Sequence, residues 1–329
     1  MVCPKIVRCM GAALAAALAC CCAAQTTDFL PRLAHGEQLR LQDRYQEART
    51  VFLNLLRDMR NDQSNQRLEA LVEDNLGLDD QDRGDYAGAE TAYNHGVDLL
   101  RGEPVYDSVM IDVKTHLAEL YLAENRPRDA ESLLREGRTD ASHAPKPASM
   151  QLATLNEDLA VACIMRRKLS ETEGLLREAQ ALVENTYGPD SPRLSSSLFS
   201  YAGLLVTEHK YDEAIPPAER AWHILAHSTL TIPKPYVASA LSVMGMVYYH
   251  AGRLDQAEEY ARKSVDLAEA SLGARHPRVG LYLWNYALIL RTAGRKNEAK
   301  AAQKKADAIL DQPPSSSSGG YTVNVDSLR

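Results

Sequence analysis

Apolar and small residues recur along this chain at three- and four-residue steps, the spacing of one face of an α-helix, and the pattern comes in pairs. In the last clear copy, Trp284, Asn285, Tyr286, Ala287 and Leu290 share one predicted helix, Gly294 turns the chain, and Ala299 opens the buried stripe of a second. Every copy has a small residue followed twelve positions later by another: Gly36 and Ala48, Gly77 and Ala89, Ala118 and Ala130, Ala160 and Thr172, Ala202 and Ala214, Gly245 and Ala257, Ala287 and Ala299. The second members are separated by 41, 41, 42, 42, 43 and 42 residues. A fixed period of this size predicts a solenoid, in which stacked helix pairs bury a core that no single pair could enclose. Thr172 is the one polar member of the series, and it is still compact. Bulkier side chains at these positions would overpack the helix contact, at a cost of ~1–3 kcal/mol.

Turn chemistry supports the same division. In Tyr187-Gly-Pro-Asp-Ser-Pro192 and Ser271-Leu-Gly-Ala-Arg-His-Pro-Arg-Val279, a glycine can end one helix in the left-handed conformation and a proline can open the next without losing a backbone donor. Two stretches break the rhythm. Pro216-Pro217 predict a kink or a late start for the second helix of the fifth unit, and Arg138–Pro147 reads as a spacer where the array bends. The array is expected to span 28–311. Beyond it, 312–329 is a Pro/Ser/Gly linker and a short tail whose Tyr321–Val325 alternates like a single strand. Such a tail is either disordered, added to a partner's sheet edge, or folded back along the array.

The net charge is −7, and it becomes −9 once the first 24 residues, with Lys5 and Arg8, are set aside. That balance disfavours nucleic-acid binding driven by phosphate contacts. Residues 1–24 have the layout of an export signal, a basic start followed by a small and apolar run. The expected location is therefore the periplasm or cell envelope. Ordinary cleavage near Ala24 is the expectation; Ala17-Leu-Ala-Cys20 also resembles an imperfect lipoprotein cleavage site, with Ala17 at the usual branched place, which makes Cys20 and Cys21 the residues for lipidation in the alternative. Cys163 is the only cysteine after this segment, so no internal disulfide can form in the remainder.

Catalytic signatures are missing: there is no nucleophile elbow, phosphate-cradling loop or zinc-protease helix. No cofactor, small-molecule substrate or metal is expected. His223 and His227 have a metal-compatible i, i+4 spacing, but without an intervening carboxylate they read as helix-end side chains. Cys163 reads as a packing residue.

The small residues at the eighth and twentieth places of each copy resemble the tetratricopeptide repeat. The ~42-residue period, together with Trp284-Asn-Tyr-Ala287 and Gly294-Arg295, is similar to the kinesin-light-chain type. The resemblance implies an all-α, right-handed α-solenoid of seven antiparallel helix pairs, with a concave groove lined by the first helix of each pair. Carried onto this chain, it selects as groove residues Asn75, Glu119, Glu157, Phe199, Met246, Tyr249, Trp284, Asn285 and Leu288, together with Asp74, Leu78, Thr115, His116, Asp158, Val161, Ser200, Val206, Ser242 and Arg291. Asn75 and Asn285 match the asparagine that holds a peptide backbone in that type, since an amide both donates and accepts. The groove is acidic toward its amino-terminal half and apolar toward its carboxy-terminal half, which suits a ligand with a basic and an apolar end. The expected function is an exported, non-catalytic scaffold binding an extended segment of a partner protein. The competing expectation is a structural envelope component acting through self-association or as a lipid-tethered assembly factor.

Overall fold

The computed structural model describes residues 29–42, 44–59, 65–102, 107–144 and 148–310. The export signal, Cys20, Cys21 and the tail at 312–329 lie outside the described residues. Among those described, fourteen α-helices and no strand form seven consecutive pairs. The pairs are α1 (Phe29–Leu41) with α2 (Tyr45–Met59), α3 (Gln66–Asp82) with α4 (Tyr86–Leu99), α5 (Ser108–Ala123) with α6 (Pro127–Ser142), and α7 (Ser149–Met165) with α8 (Leu169–Tyr187). They continue as α9 (Leu194–Thr207) with α10 (Tyr211–Ala226), α11 (Lys234–His250) with α12 (Leu254–Leu272), and α13 (Pro277–Thr292) with α14 (Lys296–Leu310). Consecutive odd-numbered helices touch one another from α1 to α13, whereas no two even-numbered helices form a comparable contact. The odd helices therefore line the tighter, concave side of the curve. No described helix is long and apolar enough to cross a membrane.

The fourteen paired small residues are all buried, and the structure shows what requires them to be small. A β-carbon on Gly36 would come within 2.4 Å of the Phe52 ring, and one on Gly77 within 2.5 Å of Tyr93. In the sixth repeat the neighbour is the partner backbone itself: a β-carbon on Gly245 would lie 3.2 Å from the Ala257 carbonyl oxygen. Apolar residues fill the remaining space in successive clusters containing Phe52, Leu155 and Leu159, Phe199 and Tyr236, and Leu290.

One turn geometry joins the helices within every repeat. The backbone N–H groups of Arg44, Asp85, Arg126, Lys168, Lys210, Arg253 and Arg295 each donate to the carbonyl five residues earlier, at 2.7 to 3.0 Å. This closes the six-to-one bond that satisfies a helix end. The bond needs a left-handed residue just before the donor. Repeats two, six and seven use Gly84, Gly252 and Gly294, while repeats three, four and five use Asn125, Arg167 and His209 with φ of 59, 55 and 62°. Adjacent repeats are then linked by ion pairs at equivalent places: Glu90 accepts from Arg126 at 2.9 Å, Glu131 from Lys168 at 2.7 Å, and Glu258 from Arg295.

Three expectations are corrected. Helix α10 starts at Tyr211 and carries Pro216 and Pro217 in its interior, so its start is not delayed. Arg138–Ser142 belongs to α6 and is not spacer, because Ala141 and Asp140 pack inward. Pro277 is the first residue of α13, but Pro192 precedes α9 by two residues.

Candidate functional site

From the second repeat to the seventh, the concave wall is built from the same two places on each odd helix. Three residues before each first small residue stand Asp74, Thr115, Glu157, Phe199, Ser242 and Trp284; two before it stand Asn75, His116, Asp158, Ser200, Val243 and Asn285. Superhelical stagger brings the first place of one repeat against the second place of the next. The Asn285 amide donates to Ser242 Oγ at 3.2 Å, and His116 Nδ1 bonds Asp74 Oδ1 in the same diagonal manner. Asn75, by contrast, donates to Glu37 Oε1 at 3.3 Å and to the Leu71 carbonyl at 3.0 Å. Both asparagines selected from sequence thus spend amide hydrogens inside the array.

The nine groove residues separate into two groups. Met246 and Tyr249 on α11, with Trp284, Asn285 and Leu288 on α13, are half-buried and reachable. Asn75, Glu119, Glu157 and Phe199 are buried. Phe199, 1% exposed, is a core side chain packed among Ala202, Leu198 and Tyr236, and this corrects its assignment to the groove. A benzyl ring on the inner helix gains more from apolar neighbours in adjacent repeats than from facing solvent.

Carboxylates dominate the buried stretch. Burial pushes Glu157 up to about 8, with the charge of Glu119 adding to the rise and hydrogen bonds from Ser196 and Ser197 opposing it. Asp79 and Asp80, at the carboxy-terminal end of α3, are raised by burial to about 6 despite the arginines Arg49 and Arg83 beside them. On the outer layer the balance reverses. Burial acts to raise Glu131, but hydrogen bonds from Lys168, Arg135 and Arg166 outweigh it and bring the group down to about 2.

A contact that sequence reasoning missed closes the array on itself. His276 Nε2 donates to the Asp82 carbonyl at 2.9 Å across 194 residues, joining the seventh repeat to the second. His276 also caps α13, its Nδ1 accepting from the Arg278 N–H at 3.1 Å. The ring is therefore a neutral tautomer with its proton on Nε2. Next to it Pro277 rests on Gly84, whose φ is +81° and where a β-carbon would meet Pro277 Cδ at 2.7 Å. His276 and Pro277 are legible in sequence only as an inter-repeat turn; no local signal pairs them with α3.

Elsewhere the reactive residue types are occupied structurally. His223 and His227 stack with ring centroids 4.1 Å apart, and His227 Nδ1 bonds the His223 carbonyl at 2.9 Å. Cys163 is fully buried, and burial raises its thiol to about 11, well away from a reactive thiolate.

Residues 236–312, covering the sixth and seventh repeats, match the tetratricopeptide repeat family. No curated protein matches the chain. Among solved structures, the Rap protein complexed with competence and sporulation factor aligns at TM-score 0.62 with 12% identity, covering 86% of this chain and 78% of that one. NprR in complex with its cognate peptide NprX aligns at TM-score 0.58 with 15% identity, covering 87% of this chain and 79% of that one. Kinesin light chain TPR-like repeats of Podosopora anserina align at TM-score 0.45 with 20% identity over 60% of this chain and 92% of theirs.

Proposed function

We propose that this array, whose sixth and seventh repeats are tetratricopeptide repeats, is a non-catalytic scaffold that holds an extended segment of a partner protein along its concave wall. The observation that carries this reading is the reachable patch of Met246, Tyr249, Trp284, Asn285 and Leu288 on two adjacent inner helices, apolar and aromatic with an amide at its centre. Aromatic and thioether side chains on a rigid wall give contact area at low ordering cost. Of two proteins with a similar fold, NprR was solved with its cognate peptide NprX and Rap with competence and sporulation factor, which supports the reading. Export, read from the layout of residues 1–24, belongs to the same proposal, while a lipid at Cys20 or Cys21 would serve as the tether of the competing structural component.

The test is affinity capture from the cell envelope with wild-type chain and a Trp284→Ala/Asn285→Ala variant as parallel baits. The double variant is expected to lose its partner by about tenfold or more in Kd, equivalent to ~1.4 kcal/mol, while its melting temperature stays within a few degrees. Equal capture by both baits, or strong self-association in sizing with no partner, would transfer belief to the structural envelope component.

A further inference from the structure

The last turn of α10 carries two imidazoles on one exposed face. His223 and His227 are four residues apart, so they are neighbours on the helix surface. Their rings stack with centroids 4.1 Å apart and planes 27° from parallel, and both side chains are exposed. The His223 carbonyl takes two hydrogen bonds, from the His227 backbone N–H at 3.1 Å and from His227 Nδ1 at 2.9 Å. A carbonyl oxygen only accepts, so Nδ1 of His227 bears the proton and Nε2 keeps its lone pair. The His223 ring makes no hydrogen bond among the described residues. Spacing made the pair metal-compatible in sequence; the fold adds that the rings meet, that one tautomer is fixed, and that the nitrogens of the other ring are uncommitted.

A proton held on Nδ1 by a backbone carbonyl is the arrangement that orients a histidine to ligate a metal through Nε2. Metal–nitrogen bonds of ~2.0–2.1 Å put two nitrogens on one ion about 3 Å apart. Rings already 4.1 Å apart at their centroids reach a common ion by small rotations of exposed side chains. The pair also stands at the carboxy-terminal end of a helix, where the peptide dipoles favour positive charge. No group of three or more His, Cys, Asp or Glu able to hold a metal occurs among the described residues, so the chain offers two donors and water takes the remaining positions. Two neutral imidazoles select Cu(II), Ni(II) and Zn(II), and they hold Mg(II) or Ca(II) poorly, since those ions take oxygen donors. His143 supplies the contrast: its Nδ1 bonds the Thr139 carbonyl at 2.7 Å in the same way, but the places four residues to either side are Thr139 and Pro147, so no second imidazole joins it.

We propose that His223 and His227 form a two-imidazole site that binds one Cu(II), Ni(II) or Zn(II) ion and staples the last turn of α10. The site lies on an even-numbered helix, away from the concave wall, so it stands independently of peptide binding. Its structural consequence is local. Pro216 and Pro217 in the interior of α10 remove two backbone donors from the helix, and an ion bridging the last turn restrains the part of the helix that follows them.

The experiment follows amide hydrogen exchange across α10 in the full chain with Ni(II) or Zn(II) chloride added, and with Mg(II) chloride as the control ion. A local readout is needed because cysteines and other histidines elsewhere in the chain take the same ions. Ni(II) and Zn(II) are expected to slow exchange at the end of α10 several-fold, since an ion that binds only the closed form suppresses opening by mass action, while Mg(II) leaves it unchanged. His223→Ala and His227→Ala should each raise the metal concentration at half effect about tenfold or more, and His143→Ala should leave it where it is. Both replaced side chains are exposed, and equal melting temperatures without metal check that the variants keep the fold. Exchange at the end of α10 that ignores Ni(II) and Zn(II) in the unaltered chain would overturn the site, and so would an equal response in His223→Ala. The first of these outcomes needs no variant, so the proposal is decided even where a substitution disturbs folding.

Discussion

Repeats three to five and repeats six and seven are built on one plan but solve it with different residues. The last two keep glycine at the left-handed turn position, Gly252 and Gly294, and carry an aromatic wall that is half open. It is this stretch, 236–312, that the tetratricopeptide family pattern matches. The middle three put Asn125, Arg167 and His209 at the same turn position and line the wall with buried acids and serines. All nonetheless make the same six-to-one turn bond. The geometry of a repeat is thus preserved by helix register and small contact residues, which leaves turn and wall positions free to diverge. A left-handed non-glycine residue costs ~1–2 kcal/mol, a sum that neighbour-to-neighbour packing in a solenoid can absorb.

Replacing the buried ring of the middle wall is the severest test of this contrast. Phe199→Ala should cost ~3–5 kcal/mol, read as a lower urea midpoint with an unchanged slope. A loss below about 1 kcal/mol would place Phe199 back in an open groove. Trp284→Ala, on the half-open wall, should be clearly milder in stability.

Next in size is the pH behaviour of Glu157. Its folded-state pKa lies above the unfolded value, so the native state binds more protons in the window between, and this group lowers stability as pH rises from about 4.5 to about 8. Glu157→Gln should therefore stabilise by ~1–3 kcal/mol near pH 8, with the gain vanishing below pH 4.5. A melting-temperature difference that stays flat across that window would show that the carboxyl is not held neutral. Glu131, on the outer layer, behaves oppositely. Its pKa is depressed, so its contribution is complete above about 4.5 and fades as pH falls toward about 2.

His276→Ala removes a helix cap and the bond to Asp82 together, for a loss of ~1–2 kcal/mol. Faster hydrogen exchange should then appear at the start of α13 and the end of α3, with repeats three to five unaffected. Uniform acceleration would mean that the seam supports the whole array. The smallest effect is expected at the turns: Arg167→Gly and His209→Gly should each stabilise by ~0.5–1 kcal/mol, and Gly252→Arg should destabilise by a similar amount. Stability unchanged by all three would remove turn strain as a difference between the regions.

Much of the architecture was legible because it is local and repeated. Helix faces, the small residue pairs and the ~42-residue step each depend on neighbours a few positions away, and seven copies make the signal redundant. Reading the site was harder. A groove position fixed by repeat arithmetic says which helix face a residue occupies, yet Asn285 and Phe199 differ in accessibility because of what neighbouring repeats place against them. The helical end of α6 was missed for a related reason: His143, Pro145 and Pro147 suggest a loop, but Ala141 packs inward and holds the preceding turn in the helix.

The sequence by itself determined the helix pairs, their number, their turns and the acidic-to-aromatic trend along one face, since these follow from short-range periodicity and side-chain size. Only the tertiary structure decided that the second and seventh repeats meet through His276 and Asp82, that Phe199 is core, and that His116 turns its Nδ1 to Asp74 inside the array. Those outcomes depend on the accumulated rotation from repeat to repeat, a small angle set by packing at every interface, and no residue encodes that sum on its own.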